Sequence, residues 1–281
     1  MLAEHRQLLT SALLRTVKAA ADVATACLRS KLTPWSWLAE FAASDINMLP
    51  GWDGNVLLNR LRADVGRSTE AAREHGLALF ELARSRRELV VPLATLTRAG
   101  IEANSRARWL LMAETPHECA ARLASLENDA LSYPQKIGAL LRRLPYETEA
   151  TRPVDEHRKN LAAWAKARGV ALGGGRVSVL AIAFLESLYP DHGAYTYSGL
   201  SGAAHANEWA TANFYDFRAG RMRRDDKMLM EYCMYTIDAT EAMSNLMIKR
   251  CEPGEAVTER WSQAHAAART SIGGFINRTK E

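Results

Sequence analysis

Two stretches of this sequence carry side chains whose types and spacing suit proton transfer or anion binding. The first is Tyr197-Ser198-Gly199-Leu200-Ser201-Gly202-Ala203-Ala204-His205-Ala206-Asn207-Glu208-Trp209. Read as part of a helix over 194–212, it puts Ser198, Ser201, His205, Glu208 and Trp209 on one face, because helix neighbours recur at three- and four-residue steps. That face holds hydroxyls, an imidazole and a carboxylate, while Gly and Ala on the backs of the turns admit a close neighbour. The second stretch, Arg98 to Trp109, aligns Arg98, Glu102, Ser105, Arg106 and Trp109 along one stripe. Its two four-residue ionic steps would stabilise an exposed helix by only about 0.2–0.5 kcal/mol each. Leu93, Leu96, Ile101, Leu110 and Leu111 around them predict a largely buried helix instead. A buried Glu102 between two arginines needs further partners, and His205 or Ser201 across a helix interface could supply them.

The candidate site follows from these two stripes. His205 is the candidate acid or base, with Glu102 and Arg106 beside it as catalytic residues. Arg98, Ser198, Ser201, Asn207 and Trp109 are the candidate substrate-binding residues. Paired buried charges often mark functional sites, but the same ladder can be a salt bridge that only fixes helix register. Nucleophilic serine chemistry is disfavoured, because a serine within a regular helix is poorly exposed and the G-x-S-x-G elbow is absent. No metal site is expected: Glu74-His75 and Glu156-His157 are adjacent pairs, not the Glu-x-x-His of carboxylate-bridged bundles, and H-E-x-x-H is absent. Gly173-Gly174-Gly175 lacks the Lys-Ser/Thr ending of a phosphate loop and reads as a hinge. No cofactor is expected. Arg218, Arg221, Arg223 and Arg224 form a basic turn that could steer a phosphate backbone or simply face water.

The elements that must position these residues are helices. The chain has 281 residues, 48% hydrophobic and 24% charged, a composition that favours a globular protein over a disordered or membrane-spanning one. A net charge of +4 permits nucleic-acid contact without requiring it. Cys27, Cys119, Cys233 and Cys251 lack any CxxC spacing and read as reduced, mostly buried thiols. No apolar run is long enough to span a membrane, and Glu4-His5-Arg6-Gln7 interrupts where a signal peptide would be apolar, so the expectation is a cytoplasmic protein.

Leu2, Leu9, Leu13, Val17 and Val23 predict a first helix over 2–29. Thr33-Pro34 predicts a short second one, and Pro50-Gly51 with Asp53-Gly54 a loop. Further helices are expected over 69–87 with Ser68 as cap, and over 92–113. Thr115-Pro116-His117-Glu118 predicts the start of another, ending at Tyr133-Pro134 before a shorter helix at 137–144. Residues 147–152 read as a loop. Later helices are expected from Pro153 to Gly169, over 177–188, over 194–212, over 225–250, and from Pro253 until Gly273-Gly274. No period-two strand pattern stands out. The fold expected is all-α, an irregular bundle of roughly eight to ten helices, with an N-terminal segment at 1–66 packed on a main domain at 67–281 as one continuous unit.

The pattern R-x3-E-x3-R-x2-W-L-L (Arg98, Glu102, Arg106, Trp109, Leu110, Leu111), followed later by Y-S-x-L-S-x2-A-H (Tyr197, Ser198, Leu200, Ser201, Ala204, His205), resembles uncharacterised bacterial all-helical proteins similar to the HEPN group. The resemblance covers roughly residues 70 to 250. It implies a HEPN-like core, and HEPN proteins are often RNases of toxin or phage-defence systems that use an Arg and a His at a dimer interface. It thus implies RNA as a partner, a homodimer, and His205 as the histidine. No arginine stands at 198–200, where the family pattern would place one. Arg152–His157 and Arg260–His265 do have R-x4-H spacing, and chance accounts for such matches in a chain this rich in arginine. Three functions stay open at this point: an RNA-directed enzyme, a non-catalytic binding or interaction module, and a small-molecule enzyme with a pocket between helices.

Overall fold

A computed structural model describes residues 3–29, 37–44, 56–85, 89–141, 152–216, 218–223 and 226–278. The architecture is all-α. Its helices are α1 (Ala3–Arg29), α2 (Trp37–Ala43), α3 (Val56–Arg84), α4 (Val90–Leu111), α5 (Pro116–Leu141), α6 (Arg152–Ala167), α7 (Val177–Leu188), α8 (Gly193–Ala204), α9 (Glu208–Thr211), α10 (Asp226–Cys251) and α11 (Glu255–Arg278). The strands among the described residues are β1 (Tyr215–Asp216) and β2 (Arg221–Met222), an antiparallel pair that the sequence pattern did not announce. No helix among the described residues is long and apolar enough to cross a membrane.

The chain forms two compact units. The first contains Met1–Lys31, Val65–Arg108 and Val177–Glu281; the second contains Leu32–Asp64 and Trp109–Arg176. The division expected at 66/67 and the Asp64/Val65 division both fall within α3.

The first unit is built on α1, which packs along α10 and α11. Leu9, Leu13 and Val17 of α1 join Leu79 and Phe80 of α3, Leu93 and Ile101 of α4, and Phe184 and Leu185 of α7 in one buried cluster. Leu200 of α8, Leu229 and Ile237 of α10, and Ile272 and Phe275 of α11 complete it. All four cysteines are buried thiols. A hydrogen bond to Cys251, together with burial, pushes the Cys27 thiol well above the ordinary range, so it is a packing residue rather than a nucleophile.

In the second unit α5 packs on α6. Glu118 donates its N–H to Thr115 Oγ1 at 3.1 Å, and its carboxylate returns to the Glu114 N–H at 2.7 Å. The start of α5 is thus the expected capping box shifted by one donor. His157 of α6 meets Glu127 of α5 at 3.0 Å, and Arg60 pairs with the same carboxylate.

Several helix limits differ from expectation. The third helix starts at Val56, not at Thr69. Ser68 is buried inside it, and Thr69 Oγ1 donates back to the Val65 carbonyl at 2.9 Å. A hydroxyl that serves the preceding turn removes the need for a helix start there. Pro134 does not end α5, which continues to Leu141; a missing N–H costs one bond, and neighbouring turns carry the helix past it. The last helix does not fade at Gly273-Gly274 but continues to Arg278. Ile272 and Phe275 are buried on either side of the glycines. Burying each such side chain contributes about 1.5–3 kcal/mol, more than the roughly 1 kcal/mol a glycine costs in a helix. The end of α6 matches expectation, with Gly169 at φ 63° and the Val170 N–H on the Ala165 carbonyl at 2.8 Å. The loops expected at Asn47–Gly54 and 147–152, Thr33-Pro34 and Arg224 lie wholly or largely outside the described residues.

Candidate functional site

The helix expected over 194–212 is broken after Ala204. His205 is the last capping residue of α8, Ala206 turns left-handed at φ 51°, and α9 starts at Glu208. The Asn207 N–H reaches back to the Gly202 carbonyl at 2.8 Å, and the Ala206 N–H to the Ala203 carbonyl at 3.0 Å. This is the Schellman pattern, in which a left-handed residue just past the cap satisfies the last carbonyls. Sequence alone hid it because the left-handed position is alanine rather than glycine. One consequence is that Glu208, exposed on α9, does not continue the α8 face. Another is that His205 sits at a helix end, exposed, with its imidazole free to reach sideways to α4.

It reaches Arg98. The Arg98 Nη1 and His205 Nε2 are 2.8 Å apart. A guanidinium can only donate, so Nε2 is the acceptor, and a neutral imidazole bonded this way carries its proton on Nδ1. Arg98 Nε donates to Glu102 Oε1 at 2.8 Å, and the Tyr197 hydroxyl donates to the same oxygen at 2.7 Å. The guanidinium carbon lies 5.7 Å from the Tyr197 ring centroid, within cation–π range. Four side chains from two helices, Arg98, Glu102, Tyr197 and His205, thus make one bonded set within the first unit.

The set is half sheltered: the Arg98 and Glu102 side chains are each 22% exposed. Burial opposes the charge on Arg98, but the Glu102 carboxylate and Tyr197 outweigh it, so its pKa rises above the ordinary arginine value. Burial, and then the bond to Glu102, push the Tyr197 phenol up as well. Tyr197 therefore stays protonated and acts as a donor, not as a base. The two distances place Arg98 Nε on Glu102 and Nη1 on His205, and a guanidinium is the side chain suited to two-point contact with an anion.

The other candidate residues are spread around this set. Arg106 is half-buried one turn beyond Glu102 on α4. Ser201 is half-buried, and its carbonyl accepts the His205 N–H at 3.1 Å. Ser198 is exposed on α8. Asn207 is exposed, and its carbonyl accepts the Thr211 N–H at 3.0 Å to start α9. Trp109 belongs to the second unit, where Arg122 covers its ring at 5.5 Å and bonds its carbonyl. No family model, curated protein or solved structure matches the chain. Among the described residues no group of three His, Cys, Asp or Glu side chains is placed to hold a metal ion.

Tyr197 is the member of the set that residue types alone did not single out. It lies eight residues before His205, just over two turns, on the face that meets α4. A second polar network was also missed. Arg269 of α11 bonds Asp238 at 2.7 Å and pairs with Glu241, both on α10. His265 Nε2 lies 3.3 Å from Glu241 Oε1, and the Tyr189 hydroxyl bonds Asp238. An acid pair three apart within α10 and a His–Arg pair four apart within α11 were the signals for it.

The basic turn is a small hairpin, not an open loop. The Asp216 carboxylate accepts the Arg218 and Ala219 N–H groups at 2.9 and 3.0 Å and faces Arg223 at 3.5 Å. The bond from Ala219 is the main cause of its lowered pKa. Arg218 and Arg221 are exposed.

Gly193 fixes where α8 starts. A Cβ there would stand 2.3 Å from the Glu186 nitrogen and 2.5 Å from the Leu185 carbonyl carbon, both backbone atoms of α7. Backbone cannot swing aside as a side-chain end can. Gly193→Ala is expected to cost about 2–3 kcal/mol in chemical denaturation and to displace α8 from α4. A stability within 0.5 kcal/mol of wild type would show that the turn yields freely.

Proposed function

We propose that the first unit is a HEPN-like, RNA-directed nuclease site in which His205 moves the proton. The supporting observation is the 2.8 Å contact between Arg98 and the Nε2 of His205. In this contact the guanidinium masks the imidazole lone pair. A phosphate of the RNA backbone is a stronger, bidentate partner for Arg98. Once it draws the guanidinium towards itself, Nε2 is released, unprotonated, beside the bound anion. Nε2 then takes the proton of a ribose 2′-hydroxyl as the 2′-oxygen bonds to phosphorus. The P–O5′ bond breaks, and O5′ leaves with its electron pair and takes a proton from water. The products are a 2′,3′-cyclic phosphate and a 5′-hydroxyl. Arg98, with Arg106 one turn on, holds the phosphate, and Glu102 orients Arg98. A homodimer acting in the cytoplasm belongs to the same reading.

A second reading is favoured by one specific feature. Glu102 Oε1 already receives two donors, from Arg98 and from Tyr197, as a closed joint fixing α4 against α8 would require. In that reading the chain is a non-catalytic binding or interaction module. Incubating single-stranded RNA with wild type and with His205→Ala separates the two. Cleavage by wild type to cyclic-phosphate ends, lost in the variant, supports the nuclease; no difference between them rejects it in favour of the joint.

A further inference from the structure

Away from the His205 set, α1 and α11 enclose a groove of about 460 Å³. That volume lies within the roughly 300–1,000 Å³ of small-molecule sites. Its charge is one-sided. Arg15 and Lys18 of α1 and Arg260 of α11 line it, with Asp22 as the only carboxylate in the lining among the described residues. All four are exposed. Among the described residues none of the three cations has an ion-pair partner, whereas Arg98, Arg122 and Arg269 each have one.

The remainder of the lining is apolar and firmly held. Leu14 and Val257 line the groove, as does Trp261, which is buried. The Trp261 Nε1 donates to Asn245 Oδ1 at 2.8 Å, and its ring lies against His265, with centroids 6.0 Å apart and planes 15° from parallel. The indole is therefore fixed on two sides before any ligand arrives, which lowers the ordering cost of binding.

We infer that this groove binds a small phosphate ester with a compact planar or apolar body, of the size of a nucleoside monophosphate. The phosphate is held by Arg15, Lys18 and Arg260. Leu14, Val257 and Trp261 take the body, and Asp22 accepts from a ligand hydroxyl or amine. A guanidinium is suited to two-point contact with a phosphate, and Arg15 and Arg260 stand on the two helices that wall the groove. The inference is independent of any activity at His205.

Calorimetric titration of the whole chain with AMP, GMP, CMP and UMP tests it, with adenosine and inorganic phosphate as the body-only and phosphate-only probes. At least one monophosphate is expected to bind saturably and more tightly than either of those two. Arg15→Gln and Arg260→Gln are each expected to weaken that binding by about tenfold. Both positions are exposed, so a melting temperature near that of wild type is expected and is measured alongside. His205→Ala is expected to bind as wild type does. Absence of saturable binding by all four monophosphates would overturn the inference. So would equal binding by the folded arginine variants, or loss of binding in His205→Ala alone, which would place the ligand at the other site.

Discussion

His205→Ala is expected to slow RNA cleavage by about 10²–10⁴-fold, the usual contribution of a positioned acid–base group, while leaving the fold nearly intact. The size of the first effect follows from position. His205 supplies the imidazole of the bonded set, the side chain type suited to moving a proton, whereas burial pushes the Tyr197 phenol up and the carboxylate and phenol neighbours push Arg98 up. The smallness of the second follows from exposure. The imidazole is at the surface, and the α8 end is held by backbone bonds of Ala206 and Asn207 that an alanine at 205 keeps. Arg98 retains Glu102. The stability loss is therefore about 1 kcal/mol, one hydrogen bond's worth. A matched comparison of cleavage rate and denaturation midpoint checks both halves. A rate and a midpoint that fall together would mean that the residue acts on the fold and not on the reaction.

Arg269→Ala should have the opposite signature, a large loss of stability without a role at the His205 set. Glu241 is 4% exposed. Its Oε2 relies on Arg269, and among the described residues its Oε1 has no hydrogen-bond partner, only the nearby His265. Removing one partner of a buried pair typically costs 3–5 kcal/mol, because the other charge is left uncompensated. Arg269 is itself 42% exposed, so water can fill part of the gap, and the expected loss is about 3 kcal/mol. Burial pushes the Glu241 carboxyl above the ordinary glutamate value of 4.5, against the pull of Arg269 and His265. The sign of the pH effect is then fixed. The folded state holds this proton more tightly than the unfolded chain does. The contribution of Glu241 is most favourable below 4.5 and declines as pH rises through the raised value. The Arg269→Ala deficit should accordingly shrink as pH is lowered towards 4.5, and Glu241→Gln should flatten the pH dependence. Denaturation midpoints measured across that range decide the matter. A deficit that grows on acidification would mean that Glu241 is not the group left exposed to the loss.

Much of the fold was legible because its signals are local. The apolar spacing of Leu9, Leu13 and Val17 marked α1, and all three are buried. Val177–Leu188 is bounded where the apolar run and Tyr189-Pro190 said it would be. Local signals failed where a tertiary term outweighed them. Gly273-Gly274 stays helical because Ile272 and Phe275 are buried beside it, and Ser68 is an interior helix residue because α3 extends well before it. For the candidate site, the four-residue Arg98–Glu102 step on α4 was visible in advance. The turn that delivers His205 was not, since Ala206 does the work usually given to glycine. Nor was Tyr197, whose hydroxyl matters only once α8 lies against α4. The Asp238–Glu241–Arg269–His265 network needed α10 and α11 side by side, which no spacing within one helix specifies.

The Arg98–His205 contact requires a bare Nε2 on the imidazole, and imidazole nitrogen NMR reads that directly. In the wild-type chain near neutral pH, the His205 ring should show a protonated Nδ1 and a bare, hydrogen-bonded Nε2. Arg98→Gln should remove that signature and leave the ring averaging between tautomers. A His205 that carries its proton on Nε2 in the wild type, or that is indifferent to the loss of Arg98, would contradict the contact on which the proposed chemistry depends.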